Sequence, residues 1–90
     1  MRLTWRAMAC EDRLHIMEHI AQHNPQAALA LDERFAEKAR QAALDPYLYR
    51  AGRVPGTREV VVHPNYVMVF RLVGENVEIV RLLHARQQWP

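Results

Sequence analysis

Two proline junctions, Asn24-Pro25 and Asp45-Pro46, limit what this chain can fold into more than any other feature. Asn24 is a favourable N-cap, and Pro25 then takes the first helical position, where a missing N–H costs nothing. At Asp45 the following proline excludes the α region, so a helix that starts at Pro25 must stop near Leu44. Between the junctions Ala28, Leu31, Phe35, Ala39 and Ala42 recur at helical spacing and mark the face that packs. Glu33, Glu37, Lys38 and Arg40 lie opposite. Glu37 is within helical reach of Arg34 and Arg40.

A second helix precedes the Asn24 junction, from about Met8 to His23. Its apolar stripe reads as Cys10, Leu14, Met17 and Ala21, widened by Ile16 and Ile20, with Glu11 and Asp12 in the first turn. The tight joint makes the pair an αα-hairpin. Ahead of it, "RLTW" (Arg2 to Trp5) reads as a short strand. After it comes a Pro-, Gly- and Arg-rich loop, "PYLYRAGRVPGT". Strands then follow at about 58–63, 65–73 and 76–84, with Pro64 at a turn because it lacks an N–H. A hairpin turn through Gly74 sets Arg71 opposite Glu78, Phe70 opposite Ile79 and Val69 opposite Val80. The expected order is β-α-α-β-β-β. It describes one α+β domain over residues 1–90, an antiparallel sheet packed against the αα-hairpin.

The 90 residues carry a net charge of only +2, spread unevenly. Residues 1–45 hold six Lys or Arg against seven Asp or Glu, while residues 46–90 hold six Arg, no Lys and three Glu. An arginine-only basic half suits phosphate and carboxylate partners. A domain this small buries roughly 60–65% of its unfolded surface, so a bound partner would help stabilise it. No apolar run reaches the ~20 residues of a bilayer span. The N-terminus lacks the apolar segment of a secretory signal, and the single Cys10 fits a reducing cytosol, so a cytoplasmic location is expected.

No metal or cofactor signature is present. His15, His19 and His23 repeat every four residues on the first helix, which reads as a solvated face rather than a metal site, because His-x-x-x-His alone is a weak pattern. Cys10, on an apolar stripe, reads as a small core residue. The remaining candidates are arginines with aromatic neighbours: Arg50, Arg53, Arg58, then His84, Arg86 and Trp89. Metal-free RNA cleavage needs a proton-transfer pair and cations around the phosphate. His63 or His84 would supply the first and Arg58 or Arg86 the second. Taken singly, Arg58 and Glu59 read as solvent-facing strand residues and Tyr66 as a packing residue.

The stretches "NPQAA", "DPYLYRAGR", "GTREVVVHPNYVMVFRL" and "VEIVRLLHARQQWP" together resemble the RelE/ParE superfamily of bacterial toxins from type II toxin–antitoxin modules. The resemblance covers nearly the whole chain. It implies an α+β toxin fold, a small cognate antitoxin as partner, operator DNA contacted only through that antitoxin, and roles in growth inhibition and plasmid stabilisation. RelE-like members cut mRNA on the ribosome with a basic cluster on the central strands. ParE-like members poison DNA gyrase and are not nucleases. Here Arg58 is followed by Val60 and Val67 where RelE-like toxins place basic residues, and "PYLYR…HPNYV…HARQ" is similar to the ParE branch. The resemblance therefore implies a gyrase inhibitor, with a metal-independent mRNA endonuclease as the alternative. Arg50, Arg53, Arg58, His84, Arg86 and Trp89 are the expected target- or antitoxin-binding residues. Arg58, His63, His84 and Arg86 are the set a nuclease would use.

Overall fold

The structure is a computed structural model that describes residues 1–90. Its elements are β1 (Arg2–Trp5), α1 (Ala7–Ala21), α2 (Pro25–Leu44), a short 3-10 turn (Pro46–Leu48), β2 (Thr57–His63), β3 (Tyr66–Val73) and β4 (Asn76–His84). Both proline junctions act as expected. The Asn24 side chain accepts the Ala27 N–H at 3.0 Å, and α2 ends at Leu44. Leu31, Phe35, Ala39 and Ala42 are buried in the core against the sheet, and Ala28 is buried at the groove between the helices.

The sheet runs β1-β4-β3-β2. The β2-β3-β4 meander is antiparallel, whereas β1 joins β4 in parallel and makes the sheet mixed. The helical hairpin carries the chain across one face of the sheet, from β1 at one edge to β2 at the other. The main core lies between that face and the helices. Phe35, Val60, Val62, Met68, Phe70, Ile79 and Leu82 meet there.

Three local expectations need correction. The β3/β4 pairing sets Arg71 opposite Glu78 and Phe70 opposite Ile79, but Val69 faces Arg81 rather than Val80. The register shifts at this point, leaving Val80 as the extra residue of a bulge. Val80 consequently packs with Val69, Leu83 and Trp89 on the face away from the helices.

The stripe on α1 is rotated. Cys10 and Leu14 are exposed, while Met17, Ile16 and Ile20 pack against the core as expected and Ala9 joins them. Asp12 sits on this inner side and reaches β4. Its carboxylate takes two hydrogen bonds from Arg81, at 2.7 and 3.0 Å, and the Leu82 N–H at 3.0 Å. The hydrogen bonds from Arg81 to Asp12, with the Asp12 charge, outweigh burial and push the Arg81 guanidinium above its ordinary range. The helix begins at Ala7, so Glu11 and Asp12 lie beyond its first turn, and Asp12 acts as a staple rather than a dipole partner.

The third correction concerns Glu59, which is only 6% exposed and is the one buried charged residue of the chain.

Candidate functional site

The expected site residues divide among three places. The first is the sheet face away from the helices. Glu59 pairs with Val69 on this face. Burial works to raise the Glu59 carboxyl, but hydrogen bonds from the Arg53 side chain and backbone, with the charges of Arg53 and Arg50, outweigh it and hold the group below its ordinary value. The Arg53 N–H donates to Glu59 at 2.8 Å and its guanidinium at 3.1 and 3.3 Å. Arg53 also donates to the Gln87 carbonyl at 3.2 Å, which fixes the C-terminal tail across the sheet. Trp89 then lies on Val69, Val80 and Leu83. Arg50 stands 3.9 Å from Glu59 with most of its side chain exposed. One buried carboxylate thus organises Arg50, Arg53 and, through the tail, Trp89.

The second place is the start of β2. Arg58 donates to the Tyr49 carbonyl at 2.7 Å, and its guanidinium lies 5.3 Å from the centre of the Tyr47 ring. Tyr49 is itself packed edge-on against Phe70 at 5.8 Å. The loop is held here by a close approach. The Gly52 N–H donates to the Thr57 carbonyl at 2.7 Å, and a Cβ at Gly52 would strike the Thr57 side chain. Gly56 turns the chain into β2 with φ of +85°, a conformation that favours glycine.

The third place is the far end of the sheet. His63, Tyr66 and His84 are aligned partners on three neighbouring strands. The Tyr66 ring lies 6.1 Å from His63, 5.5 Å from His84 and 6.1 Å from Phe35. Tyr66 does pack against the core, and it also lines the surface hollow beside it. Arg86 is exposed, and its backbone N–H donates to His84 Nδ1.

Arg58 and His63 therefore occupy opposite ends of β2, roughly 16 Å apart at the usual rise per residue. The four residues a nuclease would use are not brought together. His63, His84 and the Arg86 backbone share one end, and Arg58 holds the other. Sequence reasoning missed Glu59, whose burial shows only once Arg53 folds back over it. It also missed Arg34, His19 and His23, which line the hollow beside Tyr66. The four-residue spacing on α1 was the only signal for the histidines.

A groove on the outside of the helical hairpin completes the surface. Leu14, Met17, Ala21 and Leu29 line about 540 Å³, closed at one side by the Arg13–Asp32 ion pair. Leu14 is 56% and Leu29 67% exposed, an apolar strip that faces no other part of the chain.

This two-helix, four-strand arrangement is a known toxin fold. A chain of the chromosomal ParDE toxin–antitoxin system from P. aeruginosa superposes with a TM-score of 0.83 at 23% identity, covering 93% of this chain and 95% of that one. A YoeB/ParE toxin from Agrobacterium tumefaciens gives 0.67 at 16% identity, over 93% and 98%. The family described as "ParE toxin of type II toxin-antitoxin system, parDE" matches residues 3–89. Putative toxin Y4kP of Sinorhizobium fredii is 32% identical over 99% of this chain and 93% of its own length. Toxin RelE2 of Caulobacter vibrioides is 39% identical over 91% and 90%. The chain belongs to the ParE toxin family, within the RelE/ParE superfamily of type II toxin–antitoxin systems. Membership implies a cognate antitoxin as partner. No helix is long and apolar enough to cross a membrane.

Proposed function

We propose that this toxin inhibits DNA gyrase by binding it, trapping the enzyme on cleaved DNA and so blocking replication, without catalysis of its own. The observation that carries this is the division of the arginines. Arg53 is committed to the buried Glu59, and Arg58 to the Tyr49 carbonyl and the Tyr47 ring. The nuclease set expected from the sequence would need Arg58 beside His63 and His84, and Arg58 stands at the other end of β2. The match of nearly the whole chain to the family described as ParE supports the same choice. The exposed rim formed by Arg50, Arg86 and the tail with Trp89 is the surface offered to the target. The cognate antitoxin neutralises the toxin by laying an amphipathic segment into the apolar groove between α1 and α2, the helix-in-groove mode of recognition.

The test is a side-by-side assay of purified protein for inhibition of gyrase supercoiling and for cleavage of mRNA on translating ribosomes. Loss of supercoiling with intact mRNA is expected. Cleavage of mRNA with gyrase untouched would replace this reading by the RelE-type endonuclease.

A further inference from the structure

All five histidines of the chain gather at one end of the molecule. Four of them, His19, His23, His63 and His84, line a hollow of about 620 Å³ bounded by the α1–α2 joint and the ends of β2, β3 and β4. The gyrase reading uses none of this hollow except His84.

The hydrogen bonds around the hollow sort its polar atoms. His63 Nδ1 accepts the Asn65 N–H at 3.1 Å, and His84 Nδ1 accepts the Arg86 N–H at 3.2 Å. A ring nitrogen that accepts is unprotonated, so each neutral imidazole carries its proton on Nε2. Asn24 Oδ1 is occupied by the Ala27 N–H, which leaves the Asn24 amide nitrogen as the free end of that side chain. Three acceptors are thus consumed by the backbone, which leaves one free donor group each on His63, His84 and Asn24. Arg34 adds a fixed positive charge. The ion pairs of α2 use Asp32 and Glu37, and no carboxylate lines the hollow. The N-terminus of α2 opens at the same place, with its dipole favouring negative charge.

A hollow that combines these three donors with the Arg34 charge and has no carboxylate in its wall suits an oxyanion. Its donors come from the helix joint, from α2, from β2 and from β4. That spread suits a tetrahedral group accepting from several directions better than a planar carboxylate. Ile20, Leu31 and the Tyr66 ring supply apolar wall for the remainder of an ester. We propose that this hollow binds a phosphate ester, with Arg34 as its charge and the Nε2–H groups of His63 and His84 as its donors. The site is independent of whether gyrase is the toxin's target.

The test uses the full chain and follows histidine side chains in long-range 1H–15N spectra. Inorganic phosphate, a mononucleotide, a short single-stranded RNA and a short DNA duplex are titrated in turn, with acetate at matched ionic strength as control. His63 and His84 should show the Nε2–H tautomer, and their Nε2 resonances should move with each phosphate ligand but not with acetate. Arg34→Gln should weaken binding roughly tenfold or more, the usual loss for a charge-assisted hydrogen bond. Asn24→Asp keeps the helix cap and turns the free donor into a carboxylate, so it should weaken binding with the thermal melt unchanged. A mononucleotide held as tightly as the strands identifies a small phosphate ester. Strands held roughly tenfold tighter identify a nucleic-acid backbone. Equal shifts with acetate, no shift with any phosphate, or unaltered binding by both variants would overturn the proposal.

Discussion

Asp12 and Leu82 lie 70 residues apart in sequence, yet the Asp12 carboxylate accepts the Leu82 N–H at 3.0 Å while also gripping Arg81. One side chain on α1 thus holds β4 at its bulge. Both partners of the ion pair are largely buried, so deleting one leaves the other without compensation. Asp12→Ala should cost about 2–4 kcal/mol, measured as a fall in the urea midpoint at constant slope. Asp12→Asn keeps one acceptor and should lose less. Equal losses for the two variants would mean that the Leu82 bond contributes nothing.

Glu59 makes the fold sensitive to acid. Its folded carboxyl sits below the ordinary value of 4.5. A lowered folded pKa adds stability above the unfolded value, and that stability is lost as pH falls through the folded one. Urea midpoints should therefore drop below about pH 4.5. Glu59→Gln should be about 1–3 kcal/mol less stable at neutral pH, with a flatter dependence in the acid range. Parallel curves for the two proteins would remove Glu59 from the account.

Gly52 sets the loop that carries Arg50 and Arg53. A Cβ there meets the Thr57 side chain, so Gly52→Ala must push the loop away from β2. The expected cost is about 1–3 kcal/mol, the range for overpacking. The useful readout is hydrogen exchange of the Gly52 and Glu59 amides, which should become faster. Unchanged exchange would show that the loop tolerates the methyl.

Leu14 and Leu29 separate antitoxin binding from folding. Each is mostly exposed, so Leu14→Glu or Leu29→Glu should change stability by no more than about 0.5 kcal/mol. A charge in an apolar groove should nevertheless weaken the antitoxin complex roughly tenfold or more, read by titration calorimetry and by growth arrest that the antitoxin no longer relieves. Full neutralisation of both variants would move the antitoxin to another face.

The parts of this molecule that were legible in the sequence are those governed by local rules. The Asn24 cap, the Asp45-Pro46 stop and the stripe from Ala28 to Ala42 each depend on neighbours a few residues away, and each stands as read. The Gly74 hairpin held only as far as Phe70 and Ile79, because a bulge is settled by what the extra residue packs on, here Val69, Leu83 and Trp89. On α1 the inward Ile16, Met17 and Ile20 were legible, but Asp12, a carboxylate, occupies an inner place where an apolar residue would signal burial, so the stripe was centred too near Cys10 and Leu14. Glu59 was hidden for the same reason. Its partner Arg53 belongs to a loop whose return over β2 is set by Gly52 and Thr57, not by any periodicity. The hollow at Tyr66 draws on five elements, so the sequence showed His63, His84 and the spaced helix histidines separately and gave no sign that Arg34 joins them.

The parallel pairing of β1 with β4 also bears on how the chain is made. Arg2 lies beside Asn76, and Trp5 beside Ile79, so β1 has for its neighbour a strand made after both helices and the other two strands. While the chain is still on the ribosome, β1 must wait for both helices and for β2, β3 and β4 to follow it, and its unpaired edge is open to other strands meanwhile. Ribosome-bound chains of increasing length should show β1 protected only after β4 has emerged. The sheet is thus closed by the pairing of its two most sequence-distant strands, so its β1 edge is covered only once the whole β2-β3-β4 meander has been made.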